Sequence, residues 1–269
     1  MVDIDVLKTV KTIRGEVEEK YNLIFSTSNE LLGPIFSNFD FEDKSVLSVL
    51  GSGDQAFHFF KAKVGNLDLF DINKLTIYNM YLRYWNMLFS NQYYLPQNID
   101  KNFILNLLSF VNPEKDEEKE AFEYWSLLIT KCENINDLYI PKATLLDRRN
   151  EIIKKWKIVD GIKNHNFNFY NIDIAKPVLL DTKYDYIYVS NIGDYVSKNP
   201  EAFRVYRDNL DSLLKDGGKI ICTNVIKDGA GVDERRIFEE KFKYHNMPKV
   251  YKYSIFSPEV PGYYYVKEG

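Results

Sequence analysis

From Lys74 to about Phe89 the apolar residues Leu75, Tyr78, Tyr81, Leu82, Trp85 and Leu88 recur at intervals of three and four. That is the period of a helix buried along one face, and Asn73 before it is suited to cap the free N–H groups of its first turn. The same spacing (Val6, Leu7, Val10, Ile13, Val17) predicts an amphipathic helix over 4–20. A weaker apolar stretch, Leu31 to Phe36, is interrupted by Gly33-Pro34. Between 91 and 164 the helical period dominates. Leu105, Leu107, Leu108 and Val111 end at Pro113, an acidic run from Glu114 to Glu120 leads into Phe122–Leu128, and 144–157 carries Leu145, Leu146, Ile152, Ile153 and Trp156. The acidic run reads as a solvated helix start.

Short β-prone runs flank this helical block. Ser45–Leu50 stops at Gly51-Ser52-Gly53-Asp54, and Gln55–Lys61 has helical character. Leu67–Phe70 ends at Asp71; strand, turn, helix, strand, acid and helix in succession make a βαβ unit with parallel strands. After the helical block come Asn166–Ile172, Tyr184–Ser190 and Lys219–Ile226, with a helix over 199–215 stopped at Asp216-Gly217-Gly218. A helix is expected over 233–244. An antiparallel hairpin is expected from Lys249–Phe256 and Tyr263–Lys267 around Ser257–Gly262.

These elements predict an α/β fold: a Rossmann-like, mostly parallel seven-stranded sheet with a C-terminal antiparallel hairpin and a helical insertion. The expected division is an N-terminal helical segment (1–44), a cofactor-binding domain (45–90 and 165–269) and an insertion or cap (91–164).

Composition narrows the function. Thirty-five Lys and Arg against 39 Asp and Glu leave a net charge of −4, which argues against nucleic-acid binding by charge. Two cysteines without CxxC spacing and three histidines exclude a disulfide framework and leave little for a Cys/His metal site. No apolar run is long enough for a transmembrane helix, and the charged start is unlike a signal peptide, so a soluble, cytoplasmic protein is expected.

The chemistry concentrates in the first βαβ unit. Gly51 and Gly53 carry no Cβ to keep a ligand from the backbone. Asp71, ending the next strand, stands where an acid accepts both hydroxyls of an adenosine ribose. The third glycine of a dinucleotide fingerprint is Gln55 here, so a pyrophosphate is poorly served and a nucleoside without phosphates, such as S-adenosylmethionine, fits better.

In these motifs the chain resembles the Rossmann-like S-adenosylmethionine-dependent transferases. VLSVLGSGDQ is similar to their first motif, LDLFDIN to the second, YNIDI to the strand whose following acid contacts adenine, and YDYIYVSNIGDYV to the fourth-strand motif facing the transferred group. The resemblance implies S-adenosylmethionine as cofactor, held by Gly51, Ser52, Gly53, Asp54, Gln55, Asp71, Ile72, Asn73, Asp173, Ile174 and Asn191. It places Asn191, Asp194 and Tyr195 beside the reacting group. The acid that commonly opens the first motif is Val49 here, with Asp54 as its replacement near the methionine ammonium. GSGDQ and VSNIGDYV are also similar to the aminocarboxypropyl transferases of betaine-lipid synthesis, which use the same cofactor.

Simpler roles compete at each position. Asp71 can cap a helix, Asp173 can serve a turn, and Asn191 with Asp194 can form an Asx turn. Tyr93, Tyr94 and Tyr195 offer aromatic faces for a sulfonium, but the chain has 20 tyrosines for packing. His58 falls in the helix after the glycine turn, where burial or a surface place competes with catalysis, and His165 and His245 have no carboxylate or Ser partner at a telling spacing. Methyl transfer to a small-molecule or lipid-like acceptor is the leading expectation. Aminocarboxypropyl transfer, NAD-dependent redox chemistry and non-catalytic nucleoside binding are the alternatives. The acceptor is expected under the 91–164 insertion.

Overall fold

The computed structural model describes residues 24–25, 32–90, 95, 99–131, 139–140, 167–190, 192–196, 199–222, 234–247, 251–252, 259–260 and 263–268. The helices expected over 4–20 and 144–157 lie outside them. The described residues form two compact units, one drawn from 29–50, 54–72 and 164–269, the other from 1–28, 51–53 and 73–163.

The first unit is built on a seven-stranded sheet: β1 (Ser45–Val49), β2 (Asn66–Asp71), β3 (Phe167–Asn171), β4 (Tyr184–Ser190), β5 (Leu214–Cys222), β6 (Phe242–Asn246) and β7 (Tyr263–Lys267). Their order is β3-β2-β1-β4-β5-β7-β6. The strands from β3 to β5 pair in parallel, whereas β7 runs antiparallel to both β5 and β6. The expected α/β fold, with its mostly parallel seven-stranded sheet and reversed C-terminal strand, is the one observed.

Both faces are covered because both carry apolar residues. On one face Leu47, Phe70, Ile187 and Val189 pack with Phe203, Tyr206 and Leu210 of a helix at Pro200–Leu213, and with Ile237 and Phe238 of a helix at Glu234–Glu239. On the other, Tyr186 and Tyr188 meet Phe41, Phe36 and Phe59, the last from α2 (Asp54–Lys61), which follows α1 (Leu32–Phe36) in the chain. Full burial of such rings is worth roughly 1.5–3 kcal/mol each, which makes this aromatic layer a main source of cohesion.

Two local expectations are revised. Asp216-Gly217-Gly218 does not separate helix from strand: β5 starts at Leu214 and runs through the glycines. Gly217 at φ +74° takes up a bulge, so Tyr184 pairs with Leu214 but Tyr186 pairs with Lys219. The segment expected as a helix to residue 244 is helical only to Glu239 and then becomes β6, the strand beside β7. Tyr251–Lys252 pairs antiparallel with Glu259–Val260 as a separate ribbon. Tyr244 packs edge-on against Tyr265 across the β6–β7 pair, and such cross-strand contacts outweigh a helical period spread over so short a segment.

The second unit contains α3 (Lys74–Ser90), α4 (Lys101–Leu108) and α5 (Asp116–Lys131), with a two-residue parallel pair, Ile24–Phe25 with Tyr139–Ile140. Asp100 caps α4 by accepting from Phe103 N at 2.7 Å. The acidic start of α5 is not merely solvated. Glu118 accepts from Trp85 Nε1 at 2.8 Å, and Glu120 pairs with Lys74 at 2.5 Å. Trp125 Nε1 donates to the Tyr78 carbonyl at 2.8 Å, and the Tyr78 and Tyr124 rings lie 4.7 Å apart. Burial and then the Glu120 charge push the Tyr78 phenol up, which keeps it a neutral hydrogen-bond donor.

Candidate functional site

The strand order creates a switch point. From β1 the chain steps outward to β2 and β3, then crosses back to β4 on the other flank and continues to β5. Connections leaving β1 and β4 therefore diverge, and in open α/β sheets ligands bind in the crevice outside the carboxyl ends of such strands. Both strands end in unusual backbone. Leu50 N donates to Phe70 O at 2.8 Å, prolonging the β1–β2 pairing, and the chain then turns through Gly51 (φ +51°) and Gly53 (φ +86°). At the end of β4, Ser190 has φ +51°, a left-handed conformation uncommon for a residue with a side chain. Strain of this kind is retained where geometry matters more than local stability.

The turn 51–53 groups with the helical unit, and the reason is visible. Arg83 of α3, 1% exposed, donates from Nη1 to the Ser52 carbonyl. A Cβ on Gly53 would lie 2.9 Å from Met80 Sδ and 3.4 Å from Arg83 Nη1. Packing within the protein thus demands a glycine at 53. Asn73 caps α3 through Oδ1, which accepts from Leu75 N at 3.1 Å, so its expected capping role is present.

In the sheet unit, Asp54 and Gln55 open α2 and are each 3% exposed. Gln55 Oε1 is buried without a hydrogen-bond partner. Val49 packs against the core cluster rather than presenting a polar group. Also on α2, His58 is buried with its ring 5.2 Å from Phe36. Burial pushes its pKa down to about 4, against a smaller upward pull from Asp54.

Asp71 stands half-buried at the end of β2, and Ile72 after it is 48% exposed. Asn171, the last residue of β3, donates from Nδ2 to the carbonyls of both Asp71 and Ile72, each at 3.0 Å. That carboxamide fixes the backbone from which Asp71 projects. Asp173 is engaged in its own turn: Oδ1 accepts from Ala175 N at 3.0 Å, and Oδ2 lies 3.6 Å from Lys176 Nζ. Ile174 points into the core, and Asn209 holds the loop by donating to the Ile174 and Lys176 carbonyls at 2.8 and 2.6 Å.

Asn191 lies outside the described residues, as do Tyr93, Tyr94 and His165. Asp194 and Tyr195 sit on a short helix, α6 (Ile192–Val196), following β4. Tyr195 is exposed, and the Asp194 side chain lies outside the described set. His245 is on β6, stacked 5.1 Å from Tyr264. Arg83, Asn171 and Asn209 are not among the residues that the sequence motifs assign to the site, yet each fixes backbone through its side chain. Arg83 carried a usable signal, a lone cation inside the otherwise uncharged stretch from Leu75 to Ser90. Asn171 could be valued only once β3 was known to lie beside β2.

Among the described residues no helix is long and apolar enough to cross a membrane, and no three His, Cys, Asp or Glu side chains are grouped to hold a metal ion. No family model and no curated protein matches the sequence. Several solved structures show a distant likeness to the chain. One is a TehB-like SAM-dependent methyltransferase from Corynebacterium glutamicum (TM-score 0.46, 9% identity, covering 98% of this chain and 99% of that one). Another is the N-methyltransferase NodS from Bradyrhizobium japonicum (0.44, 10%, 89% and 93%). A third is the magnesium protoporphyrin IX methyltransferase ChlM from Synechocystis with bound SAM (0.42, 11%, 88% and 76%).

Proposed function

We propose that the protein is an S-adenosylmethionine-dependent transferase that moves a methyl group to a small-molecule or lipid-like acceptor. The observation that carries the reading is Asp71, held by Asn171 at the carboxyl end of β2, next to the switch-point strand β1. A carboxylate there accepts both hydroxyls of a ribose. Exposed Ile72 offers an apolar surface to the adenine, and Asp173 Oδ2 is the acceptor for its amino group. Gly51, Ser52 and Gly53 supply backbone, while Asp54 and Gln55 open the helix toward the amino-acid arm. Asn73 combines its cap with the end of the ribose-binding segment. Asn191, Asp194 and Tyr195 follow β4 and orient the acceptor.

When bound, the cofactor supplies an electrophilic methyl on a sulfonium, so the protein's task is alignment and exclusion of water more than acid–base chemistry. Calorimetry with S-adenosylhomocysteine and NAD tests the assignment. S-adenosylhomocysteine should bind and NAD should not, and Asp71→Ala should weaken binding by roughly 2–4 kcal/mol, about 30- to 1000-fold, with an unchanged circular-dichroism spectrum. Undiminished binding by Asp71→Ala would remove the ribose assignment. Product mass then separates methyl transfer from aminocarboxypropyl transfer and from binding without reaction.

A further inference from the structure

Among the described residues, Gln55 has a buried side-chain oxygen whose hydrogen-bonding demand the fold leaves unmet. Its Oε1 is buried and accepts no hydrogen bond, although the residue is only 3% exposed. An unsatisfied buried acceptor forfeits its hydration without return, and native proteins keep such groups where something else supplies the donor. Residue 55 lies in the first turn of α2, where a small residue would let the helix approach the sheet closely, and the chain instead spends a long amide there. Val49, at the end of β1, is apolar and packed on the core cluster, so the strand end offers no side-chain acceptor of its own.

We infer that Gln55 Oε1 receives the ammonium of the cofactor's amino-acid arm and so selects ligands that carry that amine. The inference rests on the transferase reading above and deepens it, because it assigns one atom of the protein to one group of the ligand. A neutral amide suits the task. It accepts from an ammonium as a carboxylate does, yet it adds no second buried carboxyl group beside Asp54, which is equally enclosed. Gln55 is a specificity residue and takes no part in bond making.

Three probes separate the parts of the argument: S-adenosylhomocysteine, its analogue lacking the amino group, and methylthioadenosine, which lacks the whole arm. Wild-type protein should bind S-adenosylhomocysteine about tenfold or more tighter than the deaminated analogue, the range expected for a hydrogen bond to a charged group. Gln55→Leu should bring the two within about threefold of each other and leave methylthioadenosine binding unchanged. The thermal midpoint of ligand-free Gln55→Leu should equal or exceed that of wild type, since no internal hydrogen bond is lost. A wild-type ratio preserved in Gln55→Leu would overturn the inference while leaving the transferase reading intact. A clear drop in the ligand-free midpoint would also overturn it, by revealing a structural partner for the amide. If neither S-adenosylhomocysteine nor methylthioadenosine binds wild type, the transferase reading itself fails and takes the inference with it.

Discussion

Substituting Gly53 by alanine adds a single methyl group where the structure has no room for one. At φ +86° an L-residue meets its own backbone, at a cost of about 1–2 kcal/mol. The new Cβ would also sit 2.9 Å from Met80 Sδ, well inside contact distance, and Met80 is fully buried and cannot swing into water. Overpacking of this kind typically costs about 1–3 kcal/mol. Gly53→Ala should therefore destabilise the protein by about 2–5 kcal/mol even with no ligand present. Trp85 and Trp125 are buried in the same unit as Gly53, so urea unfolding followed by tryptophan fluorescence reports on it directly. Met80→Ala removes the colliding sulfur, and the double variant should recover the steric part, a coupling of about 1–3 kcal/mol. A Gly53→Ala protein within about 0.5 kcal/mol of wild type, or a strictly additive double variant, would refute this account. The consequence for function is practical: lost ligand binding in a Gly53 variant does not demonstrate that a ligand touches the turn. Comparison with Gly51→Ala is needed to make that point.

Two further outcomes follow from buried polar groups in the sheet unit. His58 has a folded-state pKa of about 4 against 6.5 when unfolded, so the folded form resists protonation. Its neutral state contributes fully above pH 6.5, and the contribution is lost as pH falls toward 4, by roughly 3 kcal/mol in all. Urea titrations from pH 7 to 4.5 should show wild type losing more stability than His58→Leu, and parallel curves would refute the assignment. On β2, Asp68 is 1% exposed and accepts from Tyr184 Oη at 2.6 Å and Asn168 Nδ2 at 2.8 Å. Tyr184→Phe removes one of these donors and should cost about 1.5–3 kcal/mol in the same unfolding assay, with a loss under 0.5 kcal/mol counting against the network.

Periodicity along the chain located most of the elements, because the alternation of buried and exposed positions in a strand or helix is imposed by local geometry. Tyr184–Ser190 was bounded correctly, and β1, β2, β3 and α3 were placed within a residue or two. The βαβ order and the acid closing β2 were legible for the same reason: a parallel pair needs a crossover, and its carboxyl edge is where polar residues can be afforded. What depended on residues far apart was not legible. β6 was mistaken for a helix because its partner β7 lies 17 positions on at its nearest pairing, Asn246 with Tyr263. The clamp of Asn171 on Asp71 and Ile72 spans about a hundred residues, as does the Asn168–Asp68 bond. The grip of Arg83 on the Ser52 carbonyl, and the Met80 contact that makes Gly53 obligatory, join a turn to a helix beyond the next strand. Local sequence determines which residues can form a strand, a helix or a turn. Which polar atom finds a donor, and which glycine has no space for a methyl group, is settled only when distant segments compete for the same volume.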